Sequence, residues 1–199
     1  MKHFVITIGC EYGSGGPDIG KMIAESLGVE YYDRDLVDKV VDQLGVDREL
    51  VEKADSGDDN VKYMFETKLG PRYANLTNRV IYTQFEVIRK FAAKSSCVII
   101  GRCSDYILKD RPDCLNIFIY APEDVRVQHV MESRNISRQE AEDLVKYNDE
   151  MLHSRYKYMT GTYRGDRKNR HMMIDSSVLG LSQTAKYILQ LIDLKFGSL

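Results

Sequence analysis

The segment that most restricts what this chain can fold into lies at its start. The run Phe4-Val5-Ile6-Thr7-Ile8 feeds directly into Gly-Cys-Glu-Tyr-Gly-Ser-Gly-Gly, Gly9 to Gly16. Beyond it Ile19, Ile23 and Leu27 recur every four residues with Ala24 beside them, the stripe of an amphipathic helix. A buried strand, a glycine-rich turn and a helix, in that order, aim backbone N–H groups and a helix N-terminus at one point, where an anion is stabilised. A standard loop of this kind reads G-x-x-x-x-G-K-[ST]. Counted from Gly9 with one extra loop residue allowed, the lysine position holds Gly16 and the hydroxyl position Pro17. The cradle is present without its usual cation. A second register, Gly15 to Met22, would bring in Lys21, but the helical stripe is already running there and Pro17 suits a first helical turn. Lys21 is therefore expected on the flank of the helix, as a solvated surface residue.

The alternation of strand and helix continues along the chain. Val29 to Tyr32 reads as a short strand ending at Asp33, and Leu36, Val37, Val40, Val41 and Leu44 form a helical stripe. Asp55 to Asn60 is a strong break, and Gly70-Pro71 interrupts an ambiguous stretch that runs to about Leu76. A helix through Val80 to Phe91 leads into the apolar run Cys97 to Ile100; Leu115 to Tyr120 is another such run. Near-continuous apolar strands between helices argue for a parallel sheet covered on both faces. Asp124 to Glu132 reads as one helix, and Ser137-Arg138-Gln139-Glu140 as a capping box opening a second that passes Met151. Met172 to Asp175 is the final strand and Leu181 to Phe196 the closing helix. With 199 residues, no repeat and no linker, the expectation is one α/β domain over 1–199, with an insertion near 45–80 and a helical lid near 134–170.

Charge and composition exclude several classes. A formal net charge of −2 supplies no basic field for nucleic acid or an anionic membrane, and no stretch is apolar enough to cross a bilayer. Met1-Lys2-His3 moves straight into a strand, so no secretory leader is expected. The four cysteines, Cys10, Cys97, Cys103 and Cys114, lack C-x-x-C spacing and read as free thiols of a reducing cytoplasm, with Cys10 and Cys103 beside ligand-binding neighbours.

Open parallel sheets bind ligands beyond the carboxyl ends of their strands. After the first strand come Glu11, Tyr12 and Ser14; after the second Asp33 and Arg34; after the third Gly101 and Arg102; after the last Asp175, Ser176 and Ser177. Asp33 suits either a helix N-cap or a ligand contact, and Arg102 either an anion or a surface ion pair. Arg126, Arg134, Arg155, Arg164, Arg167 and Arg170 form a second group, suited either to a charged lid or to a solvated helix face. Tyr156 to Tyr163 reads as a hinge or a base-stacking loop. No protein metal site emerges; Asp105 and Asp149 are the carboxylates best placed to hold Mg²⁺ or to orient a hydroxyl.

On Ile6 to Gly20, Tyr32-Asp33-Arg34, Val98 to Leu108, Tyr120-Ala121-Pro122, Tyr156 to Gly161 and Ile174 to Gly180, the chain resembles the cytidylate kinase-like family. That family is a branch of the P-loop nucleoside monophosphate kinases, and the likeness covers nearly the full length. It implies a three-layer P-loop kinase fold with a five-stranded parallel sheet, ATP with Mg²⁺ as donor, and a nucleoside monophosphate, by name CMP or dCMP, as acceptor. It places the donor on Glu11, Tyr12, Gly13, Ser14, Gly15, Gly16 and Asp18, and the acceptor on Asp33, Arg34, Gly101, Arg102 and Asp105. A late lid arginine maps onto Arg155, the first candidate to replace the missing lysine, with Arg126 and Arg164 in reserve. Nucleotides are then the expected partners, and a homodimer is compatible with the sequence. The chain departs from the pattern at Gly16, at Cys103 in place of an aspartate, at Glu150 and Leu152 in place of lid cations, and at Arg164 in place of a tryptophan. A nucleotide-binding sensor or scaffold without turnover, and a kinase of another small metabolite, are the competing expectations.

Overall fold

The computed structural model describes residues 3–33 and 71–197, the isolated positions 38, 39, 41, 42, 45 and 48 between them, and only the backbone of 71–78. Arg34, most of the stripe Leu36 to Leu44, the loop Asp55 to Asn60 and most of the insertion expected near 45–80 lie outside the described residues.

Five strands form one sheet: β1 (Val5–Cys10), β2 (Glu30–Tyr32), β3 (Cys97–Ile100), β4 (Cys114–Tyr120) and β5 (Met172–Asp175), in the order β2-β3-β1-β4-β5. Every pairing is parallel, with Ile8 opposite Ile100 on one side of β1 and opposite Ile117 on the other. The chain therefore leaves β1 toward one edge, returns through β3, and crosses to the other side at β4. That reversal puts the carboxyl end of β1 at the switch point of the sheet, where a crevice opens.

Side-chain alternation sorts the strands between two cores. Val5, Cys97, Ile99 and Cys114 pack with Val87, Ile88 and Ala92 of α2 (Pro71–Lys94). Ile6, Ile8, Val98, Ile100, Ile117 and Ile119 pack on the other face against α1 (Gly16–Leu27) and α6 (Ser176–Phe196), through Ile19, Ile23, Ile188 and Ile192. The three layers are helix, sheet and helices. The polar exceptions are matched: buried Thr7 donates to Asn116 Oδ1 at 2.7 Å in the middle of the sheet. A third, smaller cluster of Val127, Val130, Ala141 and Val145 joins α4 (Glu123–Arg134) to α5 (Arg138–Thr160); between β3 and β4 sits the single turn α3 (Ser104–Ile107). Among the described residues no helix is long and apolar enough to cross a membrane.

Two boundaries differ from the sequence expectation. The helix opened by the Ser137 capping box does not give way to a loop at Tyr156; it runs to Thr160, and Gly161 ends it at φ 71. Nothing from Asn148 to Thr160 breaks a helix, so the first residue suited to a left-handed cap decides where it stops. The closing helix begins earlier than Leu181, at Ser176, where Asp175 Oδ1 accepts from Ser177 N at 2.9 Å; Gly180 then interrupts it at φ 70, ψ 168.

Candidate active site

The glycine loop is held in shape through its carbonyls. Five consecutive ones, Cys10 to Ser14, each accept a donor. Arg164 donates to Cys10 O, and Ser14 Oγ donates to Glu11 O at 2.9 Å. Arg126 Nη1 donates to Tyr12 O at 3.0 Å, His129 Nδ1 to Gly13 O at 2.8 Å, and Ser176 Oγ to Ser14 O at 2.8 Å. Among the described residues no acceptor takes the N–H groups of Gly13, Gly15 or Gly16. The N-cap of α1 is Gly15, with no side chain closing the helix end. The carbonyls are thus tied back and the amides left forward, the polarity an anion requires.

The loop has no room for side chains. A Cβ on Gly13 would stand 2.8 Å from Arg126 O, one on Gly15 2.3 Å from Leu181 Cδ2, and one on Gly16 2.4 Å from Cys10 Cβ. The last distance accounts for the missing lysine. Cys10 occupies the space from which a side chain at position 16 would start, and its Cβ, unlike the end of a flexible chain, cannot move aside without its backbone. Lys21 is exposed on the flank of α1, as its periodicity requires.

Behind the loop Arg126 is buried as a brace. Its Nε donates to Ala121 O at 3.0 Å and lies 3.3 Å from Glu11 Oε2; its Nη1 reaches Asp149 Oδ2 at 2.5 Å. Asp149 Oδ1 also accepts from Tyr12 N at 3.1 Å. Both guanidinium nitrogens named here are taken up by the loop and the residues that flank it. Asp18 stands exposed in the first turn of α1, with its Oδ2 4.0 Å from His129 Nε2.

The turn after β3 lies beside this loop, because Gly101 N donates to Ile8 O at 2.8 Å. Gly101, Arg102 and Cys103 are consecutive left-handed residues, at φ 62, 55 and 54. Two non-glycine residues in that region cost strain that the surrounding structure must hold, a pattern that concentrates at ligand sites. Arg155 reaches this side, donating from Nη2 to Gln84 Oε1 at 2.6 Å, and burial pulls its guanidinium pKa down to about 10. Cys103 Sγ contacts Met159 Sδ at 3.6 Å. Asp33 follows β2 at the same edge of the sheet.

The profile of the cytidylate kinase-like family matches residues 5–178. The chain belongs to that family. A comparison with curated protein sequences finds no match. Among solved structures, an uncharacterized protein from Eubacterium ventriosum ATCC 27560 is similar with a TM-score of 0.73 at 26% identity, over 96% of this chain and 98% of that one. The fold is shared with shikimate kinase from Acinetobacter baumannii in complex with shikimate, at TM-score 0.51 and 18% identity over 96% and 93% of the two chains. It is shared also with a gluconokinase from Sinorhizobium meliloti 1021, at TM-score 0.55 and 16% identity over 98% of each. The architecture is that of the P-loop kinases.

Within this cytidylate kinase-like chain the arginines separate by place. Arg155, expected at the lysine position, lies on the side of the Gly101–Cys103 turn, whereas Arg164 meets the Cys10 carbonyl of the glycine loop and stacks over Phe118 with Cζ 5.7 Å from the ring centre. Burial holds the Arg164 pKa below its ordinary value, opposed by Cys10 and Asp149. Asp105, expected to touch acceptor or Mg²⁺, is 3% exposed in α3 just after the Gly101–Cys103 turn, paired with Arg170 and accepting from Tyr156 Oη at 2.7 Å. No group of three or more His, Cys, Asp or Glu among the described residues is placed to hold a metal. The supporting residues His129, Gln84, Phe118 and Leu181 carried no sequence signal, because each is recognisable only by what it packs against.

Proposed function

We propose that this protein transfers a phosphoryl group from ATP to a small phosphorylated acceptor, a nucleoside monophosphate with CMP or dCMP first. One observation carries the donor half: the glycine loop, with its carbonyls tied outward and its Cβ positions filled, leaves an amide-lined cradle at an open helix end. The glycines at 13, 15 and 16 fit triphosphate oxygens that must approach the backbone closely. Glu11, Tyr12 and Ser14 shape the loop around them. Kinases of this fold use Mg²⁺ held largely by the phosphates and one or two carboxylates, and Asp18 is the carboxylate of the first helical turn available to it. ATP supplies the transferable group; what this chain adds is position and charge.

The charge is assigned to Arg164. Its guanidinium lies on the residue whose side chain fills the lysine position, so it is the described cation nearest in kind to the missing one. Arg126 holds the loop in shape and is a positioning residue. The acceptor half falls to Gly101, Arg102 and Asp33, with Arg34 next in sequence, and Arg155 supplies the lid cation on that side. The family supports the acceptor class; the strained Gly101–Cys103 turn supports its place.

A coupled assay of ADP release with CMP, dCMP, UMP, AMP and GMP, and with shikimate and gluconate as acceptors of another class, tests this. Turnover with cytidine monophosphates is expected. Turnover with shikimate or gluconate alone moves the protein to another metabolite, and ATP binding without turnover on any acceptor makes it a nucleotide-binding module.

A further inference from the structure

Arg170 enters neither half of that reading, yet its side chain is almost wholly enclosed. Its side chain is 2% exposed and that of its partner Asp105 4%. The guanidinium lies between two rings, with Cζ 5.0 Å from the centre of Phe118 and 5.3 Å from that of Tyr156. Tyr156 Oη closes the group by donating to Asp105 Oδ2 at 2.7 Å. Arg170 Nη2 donates to the Arg164 carbonyl at 3.3 Å, and the same nitrogen would stand 3.5 Å from a Cβ on Gly9. Among the described residues Arg170 Nε has no hydrogen-bond partner. A buried ion pair that leaves a donor unsatisfied is poor at stabilising a fold, since removal from water costs as much as the pairing returns. Its value lies in what it places.

The placement concerns Arg164. Both guanidinium groups stack over Phe118, and Arg170 holds the Arg164 backbone while the Arg164 side chain reaches Cys10 O. Asp105 belongs to α3, directly after the acceptor turn, and Tyr156 to α5. We infer that Arg170 is a positioning residue, anchored by Asp105, Tyr156 and Phe118, that fixes Arg164 at the mouth of the glycine loop and ties that position to the acceptor turn. Lysine cannot replace it. An ammonium can pair with Asp105, but it lacks the flat fork that fills the slot between two rings while donating to a carbonyl.

The test combines Arg170→Lys, Arg170→Met and Arg164→Ala, singly and in the two pairs with Arg164→Ala. The kinetic arm rests on the phosphoryl-transfer reading. Arg170→Lys keeps the melting temperature within a few degrees but lowers kcat by about 10- to 100-fold, as a misplaced group does, with KM for ATP little changed. Added to Arg164→Ala, either Arg170 variant lowers kcat no further, because it acts through a group already removed. Independent losses that multiply, or full rescue of kcat by lysine, overturn the inference.

A second arm needs no turnover. In protein labelled with ¹⁵N-arginine, the Arg164 Nη2–H signal, from the nitrogen that donates to Cys10 O, is protected from exchange in the wild type and loses that protection in Arg170→Lys and Arg170→Met. Unchanged protection in a folded variant overturns the inference. If the wild type phosphorylates nothing, the kinase reading fails alone and this arm still decides the role of Arg170.

Discussion

After β1 the chain turns on Gly13 and Gly15 at φ 81 and 77, and the places where their Cβ atoms would go are already filled; after β3 it turns on Gly101, Arg102 and Cys103 at φ 62, 55 and 54, with open space around Gly101. The two turns follow neighbouring strands at the same carboxyl edge of one sheet, but they are made by opposite means. The first is shaped by exclusion: glycine relieves the backbone, and Leu181, Arg126 and Cys10 occupy everything else. The second accepts backbone strain at two residues that carry side chains, Arg102 half-buried and Cys103 buried. Exclusion suits a ligand that needs bare amides, and a half-buried guanidinium suits a ligand that is recognised by its shape and charge.

The difference is broken most severely at Gly15. Valine there meets Leu181 and a left-handed backbone that β-branched residues do not adopt, so Gly15→Val is expected to weaken ATP binding at least ~100-fold by calorimetry. Pairing it with Leu181→Ala removes the collision but leaves the backbone strain at φ 77. The pair should recover part of the melting temperature and none of the affinity. Recovery of both would mean that the loop is held by packing alone and does not receive the phosphates.

Next in size is the attempt to restore the lysine. Gly16→Lys places a Cβ 2.4 Å from Cys10 Cβ, and overpacking of this kind costs about 1–3 kcal/mol. Cys10→Ala does not help, since alanine keeps the offending carbon. Only Cys10→Gly clears it, so Cys10→Gly with Gly16→Lys should be more stable than Gly16→Lys alone and turn over faster. If Gly16→Lys by itself is as stable as the wild type, the packing of Cys10 is not what keeps position 16 bare.

What was legible beforehand divides along the same line. Both turns are local, and their residues are neighbours in sequence, so the glycine loop and Gly101-Arg102 could be read directly. So could the sheet class and the Ser137 cap, since periodicity and cap chemistry act over a few residues. The fates of the arginines could not. Arg126, Arg155 and Arg164 have the same chemistry and differ only in what distant elements offer them: Asp149 and the loop carbonyls, Gln84, and Cys10 O respectively. Asp105 looked available because it closely follows a strand, and it is taken up by Arg170, far along the chain. Tyr156 to Tyr163 reads as a hinge because it is aromatic, polar and contains a glycine, whereas the helix has no reason to stop before Gly161.

A smaller effect sharpens the acceptor side. Arg102→Gly removes the left-handed strain and the guanidinium together, so stability and function should move in opposite directions. The variant is expected to gain about 1 kcal/mol in denaturant unfolding and to lose acceptor affinity. Arg102→Lys keeps both strain and charge and loses the fork, so its stability stays put while affinity still falls. A destabilised Arg102→Gly would show that the arginine side chain supports the turn it strains.

The smallest effect compares the thiols of the two turns. Burial pushes Cys10 and Cys103 each up to about 11, and in each case an arginine pulls the other way, Arg164 for Cys10 and Arg155 foremost for Cys103. The folded values lie above the ordinary one near 9, so the folded state favours the protonated thiols. Their contribution to stability is complete below pH 9 and is lost as pH rises through about 11. Near neutral pH both thiols should therefore alkylate slowly with iodoacetamide, with rates rising toward pH 11. Removing a nearby cation raises a thiol pKa, so Arg155→Ala should shift the Cys103 profile to higher pH and leave that of Cys10 in place. Mass spectrometry of the two alkylated peptides separates them. A shift of Cys10 in Arg155→Ala would mean that Arg155 reaches the glycine loop after all, and the division of labour between Arg164 and Arg155 would have to be reversed.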